Sequence, residues 1–303
     1  MKINIDKISD KKISNIEVLK SGWAGELYSI KFEGDNQKYI LKSYGSSEKG
    51  ISDLKHEWTG INLLYNLKYP VPKPFKSDFD LEIPYILIEQ IDGEDFWSIY
   101  NKSTQESKTE LLNKFAKEFL ELHQIKISNF DSKYLNKTTN SFIEEEIDSI
   151  RKIAEKNNFE VAFKVIDWMN AKKEDIVQEN LSILHRDYHP WNVIVDKNED
   201  VHIIDWVWGI GDYRFDLAWT CTLMERSGFK DFSEQLYKIY QKLNMKKINN
   251  FDYFKVLATL RWLMNVKESL KTGENLNEAR KLESEAFFKP LIENAIKLIV
   301  DII

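Results

Sequence analysis

The chain has 303 residues, 43% hydrophobic and 13% aromatic, enough apolar material for one large core or two smaller ones. Its 43 basic and 49 acidic side chains are interspersed for a net charge of −6, without the one-sided positive field of a nucleic-acid binder, so no nucleic-acid partner is expected. Cys221 is the only cysteine, which excludes an intrachain disulfide and a thiolate-rich zinc site, and with no signal-like run or ~18-residue apolar span a cytoplasmic protein with no membrane partner is expected.

The first predicted elements are strands over Glu17 to Ser21, Glu26 to Phe32 and Lys38 to Ser43, with the polar turn EGDN between the last two. Between the first two, Gly22 and Gly25 in KSGWAGELYSI permit a tight hairpin whose backbone N–H groups could point at an anion, although a glycine pair is also ordinary turn chemistry. After the break GSSEKG, Ser52 can cap a helix in which Leu54, Trp58, Ile61 and Leu64 recur at steps of three and four. Prolines at 70, 72 and 74 exclude helix and lead to an apolar strand from Tyr85 to Glu89; IDGED then reads as a turn. A lobe boundary near Gly93 divides residues 1–92 from 93–303.

Beyond it helices dominate. Leu112, Phe115, Phe119 and Leu122 make a helical stripe, residues of about 141 to 179 give one or two further helices, and helical patterns resume from Leu217. Between them SILHRDYHPWNVIVDKNEDVHIIDW gives short β segments around a polar loop and a DKNED turn. This segment carries the densest chemical signal. HRDYHPWNVIVD followed by HIIDW brings Asp187, Asn192 and Asp205 together on one loop and the strand ends beside it. Phosphoryl transfer needs such a set: hard oxygen ligands for Mg²⁺, here Asn192 and Asp205, and a carboxylate, here Asp187, that accepts or orients the proton of an attacking hydroxyl. A lone Asp or Asn in a loop is usually a turn former. The ordered His-x-Asp-x-x-x-x-Asn, with Ile-Asp-Trp thirteen residues on, is far more specific.

These motifs resemble the aminoglycoside phosphotransferase and choline kinase superfamily, relatives of the protein kinases, over roughly residues 17 to 220. The resemblance implies an α+β fold of the bilobal protein-kinase-like kind: a small N-terminal antiparallel β-sheet lobe with one helix that binds nucleotide, and a larger, mainly α-helical C-terminal lobe with the catalytic loop and substrate site. It implies Asp187 as catalytic aspartate, Asn192 and Asp205 as metal ligands, and His185 and His189 as structural residues. Lys42 in YILKSY would reach the nucleotide phosphates, with Glu57 on the following helix as its ion-pair partner and Glu48 as a loop-borne competitor. Gly22 and Gly25 would cover the phosphates. The strand YILIEQIDGE resembles the interlobe hinge, so the Glu89 carbonyl and the Ile91 amide would face the base, with Ile88 gatekeeper-like. The implied cofactors are ATP, with GTP not excluded, and Mg²⁺.

WVWGIGDYRFDLAWT resembles the Gly-Asp…Arg-Phe-Asp-Leu-Ala stretch of small-molecule kinases. The few residues between Asp205 and Asp212 leave no room for a regulated activation segment, and no Ala-Pro-Glu follows. Arg186 is expected to make structural contacts, and Asp216 to cap the next helix and brace the loop. The acceptor is a small-molecule hydroxyl: aminoglycoside-like, amino-alcohol or sugar. Residues 93–303 carry 30 basic and 35 acidic side chains, which permits a cationic acceptor, although Glu144, Glu145, Glu146 and Asp148 read as a solvated face. Trp206 and Trp208 flank the metal aspartate and could offer a cation–π site; Trp191, Trp219 and Trp262 read as packing residues, and Val207 stands where choline kinases have a glutamate. The alternatives are a catalytically inactive kinase-fold scaffold protein and a protein kinase; monomer and homodimer are both open.

Overall fold

The computed structural model describes residues 12–19, 26–129, 137–272 and 281–303. Among the described residues the chain forms two compact units: one runs to Lys102 and also takes in Pro190–Trp208, and the other comprises Ser103–His189 and Gly209–Ile303. This division differs from the expected boundary at residue 92, for a reason found in strand pairing below.

In the first unit, β1 (Ile13–Leu19), β2 (Glu26–Phe32), β3 (Lys38–Ser43), β4 (Pro74–Asp78) and β5 (Tyr85–Glu89) form an antiparallel sheet in the order β1-β2-β3-β5-β4. Ile30, Phe32, Tyr39, Leu41, Tyr85 and Leu87 recur at alternate positions on three strands and close one buried cluster. β2, β3 and β5 have the bounds read from the sequence, whereas β1 begins at Ile13 rather than Glu17. β4 was not expected. It is an edge strand opened by Pro74, a place where a missing N–H removes no ladder bond.

The helix after β3, α1 (Glu48–Asn66), starts four residues before the expected cap at Ser52. Ser47 is the cap, accepting from the Gly50 N–H at 3.1 Å. Gly50 is not a breaker: a Cβ there would lie 2.3 Å from the Tyr44 carbonyl oxygen, so glycine lets the first turn sit against the preceding strand. Leu54, Ile61 and Leu64 are buried as predicted, and the fourth member of that stripe is Glu57 rather than the half-buried Trp58. After β5, IDGED holds a short strand, β6 (Gly93–Asp95), instead of a free turn. It is followed by α2 (Phe96–Lys102) and pairs with β8 (Val193–Asp196), which pairs with β9 (Val201–Ile203). A Cβ at Gly93 would meet the Val195 carbonyl at 2.2 Å, so glycine allows this close approach. That pairing draws residues 190–208 into the first unit.

The second unit holds α3 (Gln105–Gln124), α4 (Thr139–Asn157), α5 (Glu160–Lys172), β7 (Ser182–Leu184), β10 (Gly209–Gly211), α6 (Tyr213–Arg226), α7 (Lys230–Asn244), α8 (Phe251–Thr272) and α9 (Lys281–Val300), with β7 and β10 antiparallel. Leu112, Phe115, Phe119 and Leu122 of α3 are all fully buried, each contributing roughly 1.5–3 kcal/mol of burial energy. Phe119 stacks on Tyr188 with centroids 3.9 Å apart, and the Tyr188 hydroxyl donates to the Phe115 carbonyl, 2.9 Å. Among the described residues no helix is long and apolar enough to cross a membrane.

Candidate active site

In the first unit, pleating points Lys42 of β3 toward the buried side of α1. Its ammonium lies 2.8 Å from Glu57 Oε1 and 2.6 Å from Asp205 Oδ1, with the Lys42 and Glu57 side chains only 6% and 3% exposed. Burial alone would lower the Lys42 pKa, but Glu57 and then Asp205 outweigh it and hold the pKa well above its ordinary value. Tyr44 donates to the other Glu57 oxygen at 2.7 Å. Glu48, the competing partner, is exposed in the first turn of α1.

Asp205 follows β9 with φ +60°, a left-handed conformation that non-glycine residues rarely adopt and that concentrates at functional sites. Asn192, 7% exposed, ends a 3₁₀ turn at Pro190–Asn192, and its carbonyl accepts from the Ile204 N–H at 3.0 Å. The two predicted metal ligands are therefore carried on hydrogen-bonded neighbouring backbone. Among the described residues no group of three or more His, Cys, Asp or Glu side chains could hold a metal. An amide oxygen and a carboxylate are instead the sparse, hard-oxygen donor set that suits Mg²⁺ completed by substrate phosphates.

Trp206 is buried and donates to the Ile203 carbonyl, 3.0 Å. Trp208 is clamped to α1: its ring stacks on His56 at 4.5 Å and 3°, its Nε1 donates to the His56 carbonyl at 2.8 Å, and its own carbonyl lies 2.8 Å from His56 Nε2. Both rings flanking Asp205 thus serve packing. Trp191, expected to pack, is 38% exposed and leans on Trp97.

In the second unit, β7 leads into the loop carrying Asp187. His185 is fully buried, and its Nδ1 accepts from the Asp187 N–H at 3.2 Å. Asp216 braces the loop by accepting from the N–H groups of His185 and Arg186 at 2.7 and 2.8 Å. It is not the cap: α6 begins three residues earlier, capped by Asp212, which also holds the buried Arg214. Arg186, at φ +71°, pairs with Glu146 at 2.8 Å, and Arg261 pairs with the other oxygen of that carboxylate. Glu146 is therefore not part of a solvated face, and burial raises its pKa against the pull of Arg186.

The Asp187 carboxylate lies 3.4 Å from His189 Nε2 and accepts from Trp219 Nε1 at 3.0 Å. Burial opposes its ionisation, but His189, Trp219 and His185 outweigh that and lower its pKa to about 2. Trp219 is thus more than the packing residue expected.

Glu89 and Ile91, expected at a hinge, line a cavity of about 460 Å³ in the first unit together with Lys38, Asp92, Asp196 and His202, and Ile88 is 6% exposed. Gly22 and Gly25 lie outside the described residues. Sequence reasoning missed Tyr44, His56 and Trp219 as partners of the key groups. Tyr44 had a signal, standing two residues beyond Lys42 just past the end of β3. The other two depend on contacts distant in sequence.

A lysine bridging a strand, a helix and an Asp-bearing turn, together with an Asp-x-x-x-x-Asn loop, defines a kinase-like phosphotransferase. The chain belongs to the phosphotransferase enzyme family, which it matches over residues 15–252. Among solved structures it is similar to a thermostable mutant of aminoglycoside phosphotransferase APH(4)-Ia, 15% identical over 95% of each chain with a TM-score of 0.68. It is also similar to the choline kinase LicA from Streptococcus pneumoniae, 20% identical over 96% of this chain and 94% of that one, TM-score 0.67. Spectinomycin phosphotransferase APH(9)-Ia, in complex with ADP and spectinomycin, is 14% identical over 94% and 93%, TM-score 0.61. These likenesses establish the bilobal α+β kinase-like fold. Comparison with curated protein sequences gives no match.

Proposed function

We propose that the protein is an ATP- and magnesium-dependent kinase that phosphorylates the hydroxyl of a small molecule. The observation that carries this reading is the Lys42 ammonium held between Glu57 and Asp205, which sets one point charge and one metal-binding carboxylate together. The neighbours solved with ADP, and with AMP-PNP and hygromycin B, support a nucleotide as donor. In the first unit, Lys42 binds nucleotide phosphates, Glu89 and Ile91 offer backbone groups to the base, and Asn192 and Asp205 hold the metal. Magnesium bound there neutralises charge on the phosphate oxygens. In the second unit, Asp187 receives the acceptor hydroxyl. With a pKa of about 2 it is ionised throughout the neutral range but is a weak base. Its role is to orient the hydroxyl and take a proton released late, which suits a loose transition state.

Asp187→Asn is expected to retain Mg·ATP affinity within about twofold while turnover falls by roughly 10³-fold or more, since it removes an interaction with the reacting hydroxyl alone. Asn192→Ala and Asp205→Ala are expected to weaken Mg·ATP binding in calorimetric titration. Normal turnover in Asp187→Asn, or unchanged titrations in both others, contradicts the assignment.

A further inference from the structure

Arg226, the last residue of α6, is 2% exposed, and its Nη1 has no hydrogen-bond partner among the described residues. Its guanidinium lies 3.8 Å from the Trp262 ring centroid, a cation–π contact that orients the charge without giving Nη1 an acceptor. Buried charges in folded proteins are normally paired and hydrogen-bonded, so among the described residues this one stands out.

Its place on α6 says where a partner for that charge binds. Trp219, whose Nε1 bonds Asp187, and Arg226 are seven residues apart, two turns along one stripe of the helix. Helical side chains lean toward the N-terminus, which carries the guanidinium back toward Trp219. Burial lowers the Arg226 pKa to about 9, and the charge that acts against this is that of Asp187. Arg226 also lines a cavity of about 820 Å³ in the second unit, whose wall carries the basic side chains Lys230, Lys238, Lys255 and Lys297 and the acidic ones Glu225, Glu234, Asp252 and Asp301, so room for a bound molecule lies beside it.

Resting on the kinase reading above, we propose that the acceptor carries an acidic group, a carboxylate or a phosphate, which Arg226 binds while the acceptor's hydroxyl meets Asp187. An acid suits the charged N–H donors that Nη1 leaves unused. A quaternary or primary amine at that spot meets a buried like charge instead, which disfavours choline-like and aminoglycoside-like acceptors.

The test is a turnover screen in matched pairs: carnitine against choline, gluconate against glucitol, glucose 6-phosphate against glucose. The acidic member of at least one pair is expected to be phosphorylated at least about tenfold more efficiently, because truncating a buried charge pair costs roughly this much or more. The sugar arms separate the two chemistries, since gluconate tests the carboxylate and glucose 6-phosphate the phosphate. In Arg226→Met the KM for that acceptor is expected to rise about 10²-fold with kcat changed far less, while Arg226→Lys restores part of the affinity. A purely structural arginine predicts otherwise: Arg226→Met then leaves KM unchanged and, having lost a buried unpaired charge, melts no lower than the parent. Equal rates within every pair, at any level including none, overturn the proposal, as does an unchanged KM in Arg226→Met. Should the Met variant fail to fold, an unaltered acid preference in Arg226→Lys overturns it as well. The kinase reading fails separately, by the absence of thermal stabilisation of the parent protein by Mg·ATP.

Discussion

Lys42 is where the first unit is most sensitive to a single side chain. Its charge is compensated on both sides, and removing it leaves Glu57, 3% exposed, with the Tyr44 hydroxyl alone among the described residues. Lys42→Met is therefore expected to cost about 3–5 kcal/mol in chemical denaturation, the usual penalty for breaking a buried pair. Pairing Lys42→Met with Glu57→Leu is expected to recover much of that stability but none of the turnover, because no cation then meets the phosphates. A double variant as unstable as the single one contradicts this account. The pH dependence follows from the raised pKa: the stabilisation is complete below the unfolded lysine value of about 10.4 and is lost only as pH rises through the higher folded value. Asp187, Asn192 and Asp205 were singled out by their spacing and Lys42 by its strand and the helix after it, and the contacts of Lys42 with Glu57 and Asp205 agree with that reading. Trp219 was not legible, since an indole in an apolar run looks the same whether or not its N–H finds a carboxylate 32 residues away.

At the scale of elements, α1 is positioned by the segment after Asp205 as well as by the sheet. Gly60 permits it: a Cβ there would sit 2.4 Å from Trp208 Cδ1. Ala for Gly inside a helix ordinarily stabilises by about 0.5–1 kcal/mol. Here overpacking of roughly 1–3 kcal/mol is expected to win. Gly60→Ala should lower the melting temperature and, by shifting the turn that carries Glu57, raise the KM for Mg·ATP; a variant that melts higher than its parent sinks this reading. The strands and helices with strong periodicity were readable from the sequence, β2, β3 and β5 to the residue. Elements resting on a glycine's missing Cβ were not: Gly50 and Gly93 looked like breaks because what they admit, the Tyr44 and Val195 carbonyls, is visible only in the fold.

For the whole molecule, the expected cut at residue 92 followed the turn signal of IDGED, whereas the observed division follows strand pairing. β6 has its partner in β8, about a hundred residues downstream, and the sheet is tied to that later segment again where the Ile203 N–H donates to the Pro70 carbonyl at 2.8 Å. A fragment of residues 1–102 lacks those partners and Asp205. It is expected to melt without a cooperative transition by circular dichroism, unlike the full chain; a sharp transition in the fragment would show the five-stranded sheet to be sufficient alone.

The same crossing of the chain has a consequence for synthesis. A ribosome adding about 5–20 residues per second needs on the order of 5–20 s to proceed from Lys102 to Trp208. Throughout that interval residues 1–102 lack both the β8 partner of β6 and the Asp205 partner of Lys42, and so the contacts that complete their unit. Elongation speed between codons 103 and 208, rather than the pace at the start of the message, is thus where translation bears on the yield of native enzyme.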